Sequence, residues 1–162
     1  MIPSRLSRLS LPALIRPAQL SDATPLRQMC WPGRSLESIG GLLDRTHKLA
    51  LNRRGFGAVA IRESVLCGFG LLTLWPRAAE ISDLVVNAQY RGQGIGSAII
   101  TYLTETARDL QVRTLEIGVA LSNPRALALY RRLGFTDHRT IDVDLGSGLE
   151  TVLYLTKSLE HG

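Results

Sequence analysis

The stretch Ile81–Ser97, which reads ISDLVVNAQYRGQGIGS, decides the fold of this chain. It starts in a run rich in β-forming residues, passes through a short polar loop, and reaches three glycines at alternate positions, Gly92, Gly94 and Gly96. A helical pattern follows directly, because apolar residues recur at every fourth position over 95–107. The succession of strand, glycine turn and helix predicts a βα unit within a fold of mixed α and β elements.

A glycine turn of this kind can bind an anion. Glycines lack a Cβ, so the backbone N–H groups of residues 92–97 can point at one centre, and the helix that begins there adds the positive end of its dipole. Arg91 can add a direct positive charge. The segment lacks the lysine of a P-loop, and its G-x-G-x-G spacing differs from the dinucleotide-binding pattern. A phosphate or diphosphate site is therefore predicted, and the alternative is a turn that only packs helix on sheet.

The sequence before this unit predicts a short strand, two helices and a β-hairpin. Asp22 and Ser35 are residue types that cap helix N-termini. The apolar runs 56–61 and 65–74 flank a short polar segment, Arg62–Ser64, and this arrangement is typical of a hairpin. The face of the second helix that we expect to be buried carries Leu36, Ile39, Leu43, His47 and Leu51.

The sequence after the unit predicts a strand at 115–119, a helix at 124–133 and two final strands. Asn123 is a good N-cap for that helix, and Gly134 suits its C-terminal end. The final strands are expected at 141–145, where apolar and polar residues alternate, and at 151–155. The whole pattern predicts a single α+β (mixed α/β) domain over residues 13–158. Residues 1–12, which contain no acidic residue, are predicted to form a flexible N-terminal arm.

Composition argues against several classes of protein. With 162 residues, 45% of them hydrophobic and 20% charged, the chain has the size and content of one globular domain. No apolar run approaches the ~18 residues that cross a bilayer, so no membrane association is expected. The net charge of +5 comes mainly from dispersed arginines, and an aromatic content of 6% leaves little for base stacking, so no nucleic-acid partner is expected. Cys30 and Cys67 have no CxxC or histidine neighbour, which predicts no metal site and fits the reducing cytoplasm.

Two motifs together resemble the GCN5-related N-acetyltransferase (GNAT) family. The acyl-CoA signature of that family, Q/R-x-x-G-x-G/A, is matched by Arg91, Gly94 and Gly96. Its second signature, an Asn followed seven residues later by a Tyr and then by Leu-Gly-Phe, is matched by Asn123, Tyr130 and 133–135. The resemblance covers about residues 13–157.

The resemblance implies a fold and a cofactor. The fold is a central, mostly antiparallel twisted sheet of about seven strands, flanked by about four helices. Its strands at 80–86 and 115–119 form a parallel pair that splays apart, and the pantetheine arm of acetyl-CoA lies in the gap. The cofactor-binding residues implied are Leu84, Val85, Val86, Arg91, Gly92, Gln93, Gly94, Ile95, Gly96, Ser97 and Asn123.

The resemblance also implies a reaction, the direct transfer of an acetyl group from acetyl-CoA to a primary amine. Tyr130 is then the general acid that protonates the departing sulfur, and a backbone N–H of residue 85 or 86 stabilises the oxyanion. The base is Glu80, with Asp83, a water chain or the absence of a dedicated base as alternatives. Strand alternation is expected to place Glu80 on one face with Ser82, Leu84 and Val86, and Asp83 on the other with Ile81 and Val85. A non-catalytic acyl-CoA sensor is the alternative function, and the presence of Tyr130 favours the enzyme.

The acceptor is expected to be a small-molecule amine or a peptide amine. Family members that acetylate ribosomal-protein N-termini tend to carry a glutamate five residues before the Asn, and Gly118 stands there in this chain, which argues against such a substrate. Homodimers are common in the family, although no sequence feature indicates an interface. Candidate residues for the acceptor pocket are Met29, Trp31, Arg34, Asp142 and Asp144.

Overall fold

The computed structural model describes residues 12–144, 146 and 148–159. The predicted N-terminal arm lies, apart from Pro12, outside these residues. The elements in chain order are β1 (Leu14–Pro17), α1 (Ala23–Met29), α2 (Leu36–Leu51), β2 (Gly55–Arg62), β3 (Val65–Leu74), β4 (Ala79–Val86), α3 (Ile95–Asp109), β5 (Thr114–Ala120), α4 (Pro124–Arg132), β6 (Thr136–Asp144) and β7 (Leu149–Ser158). Short 3₁₀ turns at Leu20–Asp22 and Ala88–Tyr90 precede α1 and the glycine turn.

The seven strands form one sheet in the order β1-β2-β3-β4-β5-β7-β6. All neighbours are antiparallel except β4 and β5, which run parallel. The predicted fold class, a mostly antiparallel seven-stranded sheet with four helices and one parallel pair, is therefore confirmed. Among the helices described, none is long and apolar enough to cross a membrane.

The sheet buries a different cluster of side chains on each face. Gly68 and Gly70 of β3 let α3 approach closely, because a Cβ at either glycine would lie within 2.8 Å of Ile99. Phe69, between them, points to the other face and packs with residues of α1 and α2. The helix α3 buries the four residues that the sequence predicts at its core-facing positions, Ile95, Ile99, Leu103 and Ala107.

The predicted buried face of α2 is partly wrong. Ile39 and Leu43 are buried, but His47 is exposed, and Leu36 and Leu51 are 48% and 70% exposed. Leu42 and Thr46 take the predicted places in the core. Thr46 can be buried because its hydroxyl donates to the carbonyl of Leu42 at 2.8 Å. Its methyl group lies over Gly57 of β2, where a Cβ would be only 2.6 Å away.

The two predicted helix caps behave differently. Ser35 caps α2, since its hydroxyl accepts from the backbone N–H of Ser38 at 3.0 Å. Asp22 occupies the N-cap position of α1, but its side chain does not cap that helix. Its carboxylate instead accepts two hydrogen bonds from Arg16, at 2.8 and 2.9 Å, and one from the backbone N–H of Gln19 at 2.8 Å. This buried carboxylate therefore joins β1 to the start of α1.

A β-bulge in β4 makes the predicted alternation of that strand wrong. The pairing with β3 passes from Leu71–Ser82 to Phe69–Val85, so β4 contains one extra residue there. Asp83 supplies the distortion with a left-handed φ of 53°. After the bulge, Leu84 and Val86 pack on the α3 side with Ile81, and Val85 packs on the α2 side. Glu80 consequently lies on the opposite face from Leu84 and Val86.

The parallel strands separate as the sequence resemblance implied. Their paired residues are Ala79–Leu115, Glu80–Glu116 and Ile81–Ile117. β4 continues to Val86 and β5 to Ala120 without further pairing between them. This gap in the sheet opens towards the glycine turn at the start of α3.

Candidate functional site

A cleft of about 470 Å³ lies in the gap between β4 and β5 and extends over the first turn of α3 and along the length of α4. All but one of the residues predicted to bind the cofactor line it. The residues that line the cleft are Leu84, Val85, Val86, Tyr90, Arg91, Gly92, Gly94, Ile95, Gly96, Ser97, Asn123, Arg125, Ala126, Leu129, Tyr130 and Arg132.

The glycine turn exposes the N-terminus of α3 to the cleft. Gly92 and Gly94 have φ values of 73° and 82°, and Gly94 is the N-cap residue, so no side chain caps this helix. The left-handed conformation of both residues favours glycine and leaves the first backbone N–H groups of α3 available to an anion. Gly96 lies within the helix beside Leu129, and a Cβ at this position would lie 3.4 Å from the Leu129 side chain.

Arginines give the cleft a positive potential. Arg91, Arg125 and Arg132 line it, and none of the described lining residues is acidic. Arg125 reaches over the glycine turn, because a Cβ at Gly92 would lie 3.9 Å from its Nη2 atom. The positive end of the α3 dipole acts in the same direction. The cleft therefore fits an anion that carries several phosphate charges.

Polar side chains hold the loop before the turn in place. Asn87 accepts from the backbone N–H of Gln89 at 2.8 Å and donates to the carbonyl of Met29 at the end of α1. Gln93 is the predicted cofactor residue that does not line the cleft. Its side chain accepts from Arg62 of β2 and donates to the carbonyl of Gln89 at 3.3 Å.

Tyr130 lies in the last turns of α4 and lines the cleft, and the residue is only 6% exposed. Its ring packs against Phe135, with ring centroids 6.4 Å apart. In the part of the chain that the structure describes, its hydroxyl forms no hydrogen bond. Every fully buried side-chain polar atom in that part has a hydrogen-bond partner, so the Tyr130 hydroxyl is not fully buried. The hydroxyl oxygen therefore contacts the cleft. Burial raises the pKa of Tyr130 to about 12, so the group is protonated at neutral pH.

Asn123 begins α4 as predicted. Its side-chain oxygen accepts from the backbone N–H of Ala126 at 3.2 Å, and Pro124 occupies the first turn. This cap fixes the direction of α4 along the cleft, and hence the position of Tyr130. Asn123 also lines the cleft itself.

Glu80 does not line this cleft. It lies on the α2 side of the sheet, because its neighbours Ala79 and Ile81 are both in the α3-side core. Burial raises the pKa of Glu80, and the nearby carboxylates of Glu116 and Asp83 raise it further, while Arg139 opposes them. A carboxyl group with a raised pKa is suited to proton transfer.

The other candidate acceptor residues are distributed over two places. Trp31 packs edge-on against Phe69 at 5.8 Å, and Arg34 lies over the Trp31 ring at 4.7 Å, so both are on the α2 side near β4. Asp142 accepts from Thr151 at 2.8 Å, and the Asp144 carboxylate accepts from the backbone N–H of residue 146 at 2.8 Å. These two aspartates stabilise the β6–β7 hairpin at the sheet edge.

Both cysteines are free thiols. Burial, with a smaller effect from Cys67, raises the pKa of Cys30 to about 12. Cys67 is buried and donates weakly to the carbonyl of Ala60 at 3.5 Å. A protonated buried thiol is a poor nucleophile, so neither cysteine is suited to carry an acyl group. In the part of the chain that the structure describes, no group of three metal-ligating side chains occurs.

Sequence reasoning missed five residues of the cleft: Tyr90, Arg125, Ala126, Leu129 and Arg132. The four in α4 recur at spacings of one, three and three residues, which is one helical face. On a helical projection Tyr130 lies beside this face, next to Ala126, whereas Arg125 and Arg132 lie nearly opposite Tyr130, so the two motif residues alone do not indicate these arginines.

Several known proteins are similar to this chain. The acetyltransferase (GNAT) family model matches residues 20–135. Over 135 residues the chain is 30% identical to the ribosomal protein bS18-alanine N-acetyltransferase of Escherichia coli K12, covering 83% of this chain and 80% of that protein. Over 75 residues it is 40% identical to the thialysine N-epsilon-acetyltransferase of Bos taurus, covering 43% of this chain and 44% of that protein. The chain spans less than half the length of several curated relatives that it matches.

Solved structures share the fold. The ribosomal-protein-alanine N-acetyltransferase of Brucella melitensis superposes with a TM-score of 0.76 at 24% identity, over 90% of this chain and 99% of that chain. A ribosomal L7/L12 alpha-N-protein acetyltransferase in complex with coenzyme A superposes with a TM-score of 0.80 at 19% identity, over 93% and 96% of the two chains. Because the family model matches most of the chain and the Escherichia coli relative aligns with 83% of it, this protein belongs to the acetyltransferase (GNAT) family.

Proposed function

We propose that this protein is an acetyl-CoA-dependent N-acetyltransferase that transfers the acetyl group directly to a primary amine. The observation that carries the proposal is the gap between β4 and β5, which leads from a buried tyrosine to an arginine-lined glycine turn. This shape matches a cofactor with an amide-rich arm at one end and phosphates at the other. Family membership supports the same class of reaction.

The diphosphate of acetyl-CoA would bind the N-terminus of α3. The backbone N–H groups of residues 92–97 and the guanidinium groups of Arg91 and Arg125 supply hydrogen bonds and charge. The pantetheine arm would lie along the unpaired edge of β4, where backbone groups of 84–86 have no partner strand on the β5 side. In this arrangement Gln93 contributes its backbone, since its side chain bonds to Arg62.

The reaction forms a C–N bond and breaks a C–S bond. A neutral amine attacks the thioester carbonyl, and a backbone N–H of Val85 or Val86 stabilises the negative charge that develops on the carbonyl oxygen. The tetrahedral intermediate then collapses, the sulfur departs, and Tyr130 donates its proton to the sulfur. The raised pKa of Tyr130, about 12, means that its hydroxyl is protonated when the reaction begins. The nitrogen loses one proton, so the products are an amide and a thiol.

We propose that Glu80 is the base that receives the proton of the amine. The proton would pass through a water molecule, because Glu80 lies on the α2 side of the sheet and does not line the cleft. Asp83 is the alternative base; its carboxylate is exposed and accepts from Ser82 at 3.1 Å. The amine would approach from the α2 side, between Trp31 and the unpaired end of β4. This direction places the amine and the cofactor on opposite sides of the thioester.

The acceptor belongs to the class of primary amines, either the N-terminus of a peptide or a small molecule. Relatives named for a ribosomal-protein alanine and for thialysine illustrate these two classes. Gly118 packs against the ring of Tyr154, and a Cβ at this glycine would lie only 3.0 Å from Cε1, so a glutamate cannot be placed there without moving that ring. Free thiols at Cys30 and Cys67 fit a cytoplasmic location.

The test measures binding and turnover separately. Calorimetry of the full chain with coenzyme A should show saturable binding, and no heat at millimolar coenzyme would contradict the proposal. A thiol-release assay with acetyl-CoA should then be run against a panel of polyamines, lysine analogues and alanine- or serine-terminated peptides. Binding of coenzyme A without acetylation of any amine would indicate the non-catalytic sensor instead.

A further inference from the structure

Arg62 is a buried arginine with no acidic partner among the described residues. It ends β2 with an exposed fraction of only 7%, yet it forms no ion pair with any Asp or Glu in that part of the chain. Its side chain donates a hydrogen bond to the neutral side-chain oxygen of Gln93. Burial of a charge without a counter-charge is costly, and buried arginines are normally paired. The position therefore calls for a compensating negative group.

The position of Arg62 near the start of α3 increases the free-energy cost of burying its charge when no ligand is bound. Gln93 immediately precedes Gly94, the N-cap of α3, so Arg62 lies behind the positive end of that helix dipole. Two positive features face one another there, and the cleft residues in front of them are arginines and glycines rather than acids. An anion bound at the glycine turn would compensate both the charge of Arg62 and the positive end of the helix dipole.

Arg62 also restricts the turn mechanically. The Gln93 side chain accepts a hydrogen bond from Arg62 and donates one to the carbonyl of Gln89. These two bonds fix the loop on both sides of Gly92. The two neighbours of Gln93 both line the cleft and both have left-handed backbone conformations. A fixed Gln93 side chain therefore holds the backbone N–H groups in the orientation that an anion needs.

We infer that Arg62 is a positioning residue for the diphosphate group of the cofactor: it fixes the glycine turn through Gln93 and contributes an uncompensated positive charge behind it. This inference rests on the proposed function, because it assumes that acetyl-CoA is the anion bound. Arg62 itself does not line the cleft and acts through Gln93 and through its field.

The experiment measures coenzyme A binding to the full chain by calorimetry, with pantetheine, which lacks every phosphate, as the second ligand. Arg62→Met should raise the Kd for coenzyme A about tenfold, the typical effect of one charged hydrogen-bonding group. It should leave the weak Kd for pantetheine unchanged, and the Kd for coenzyme A should become less sensitive to salt. Arg62→Lys, which keeps the charge, should recover most of the affinity.

Two controls separate this role from a general loss of structure. Gln93→Ala changes an exposed side chain, so it should fold normally and still weaken coenzyme A binding. Arg108→Met removes a surface arginine that pairs with Glu105 at the far end of α3 and should leave both Kd values unchanged. Equal losses for coenzyme A and pantetheine, or a lysine variant as weak as the methionine variant, would overturn the inference. Failure of the unmutated protein to bind coenzyme A would contradict the proposed function itself.

Discussion

Glu80 and Glu116 are directly paired residues on the parallel strands β4 and β5, and Arg139 bonds to the second of them alone. The Arg139 guanidinium lies 3.0 Å from Glu116 and 4.3 Å from the centre of the Tyr154 ring, so it is held on both sides. Among the residues that the structure describes, Glu80 has no such partner. Its pKa is raised first by burial and then by the two neighbouring carboxylates, which fits the role of base that we propose for it.

Replacement of Glu80 should lower the rate without affecting cofactor binding. Glu80→Gln is expected to reduce kcat by about 10²-fold or more, the usual contribution of a general base. The acid limb of the pH–rate profile should lie above the pKa of an ordinary glutamate in the unmutated enzyme and should vanish in the variant. Steady-state kinetics from pH 5 to 9 measure both effects.

Asp83→Asn is the matched control for Glu80. Removal of this exposed negative charge should lower the pKa of Glu80, because Asp83 is one of the groups that raise it. The acid limb should therefore move to lower pH while kcat at neutral pH is retained. If kcat collapses in this variant and survives in Glu80→Gln, Asp83 is the base.

Tyr130→Phe should separate chemistry from binding. The ring and its packing on Phe135 remain, so the Kd for coenzyme A and the melting temperature should stay close to those of the parent. Without the hydroxyl proton, kcat should fall about 10²–10⁴-fold. Tyr102→Phe on α3, outside the residues that line the cleft, provides the comparison and should be fully active. Unchanged turnover by the Tyr130 variant would remove this residue from the mechanism.

The glycines at 94 and 96 should respond differently to alanine. Gly94 has a φ of 82°, so Gly94→Ala strains the backbone by about 1–2 kcal/mol even though a Cβ would meet no atom within 4 Å. Coenzyme A binding should weaken, since the N–H groups of the turn are displaced. Gly96 has helical geometry, and a Cβ there would lie 3.4 Å from Leu129, an ordinary contact. Gly96→Ala should therefore leave stability unchanged or raise it by up to about 1 kcal/mol. Urea unfolding and calorimetry distinguish the two.

The link between Arg16 and Asp22 should make stability depend on pH in the acid range. Burial alone would raise the pKa of Asp22, but the hydrogen bonds from Arg16 and Gln19 and the charge of Arg16 lower it below the usual value. A depressed pKa means that the stabilisation is complete above the unfolded-state pKa, about 4, and is lost as pH falls through the folded-state value. Asp22→Asn should cost about 2 kcal/mol at pH 7, and the difference from the parent should shrink below pH 4.

The exposed pair formed by Arg131 and Asp137 provides the control for this measurement. Both side chains are about half exposed, so Asp137→Asn should have little effect on urea unfolding at either pH. A pH-independent loss in Asp22→Asn would show that packing, rather than the ion pair, determines its effect.

The sequence predicted those elements whose apolar pattern is local and regular. The four-residue spacing of α3 was correct because its entire apolar face packs on the sheet. The hairpin between β2 and β3 was also correct, and Glu63 and Ser64 form its turn with φ values of 51° and 68°. Both predictions depend on residues close together in the chain.

The errors arose where packing between distant segments decides the outcome. Thr46 is buried in α2 because Gly57 of β2 leaves room for its methyl group, and no pattern within the helix indicates this. The bulge at Asp83 moves every later residue in β4 to the opposite face of the sheet from the one predicted. Because Asp can adopt a left-handed φ, no glycine is needed there, and the sequence gives no signal of the bulge. β6 begins at Thr136, earlier than predicted, because its first residues are exposed on a polar edge strand and lack alternation. These are tertiary effects that a single sequence does not encode locally.

The short pairing between β4 and β5 also has a consequence for the whole molecule. Only three residue pairs between β4 and β5 join the four strands β1–β4 to the three strands β5–β7, and we call these two groups the panels of the sheet. Coenzyme bound in the opening, as proposed, would contact both panels, so that part of the cohesion of the sheet comes from a molecule that is consumed and replaced in each cycle. At a concentration one hundred times its Kd, such a ligand adds about 2.7 kcal/mol to the free energy of unfolding. The durability of this protein in a cell would then follow the supply of its own reactant.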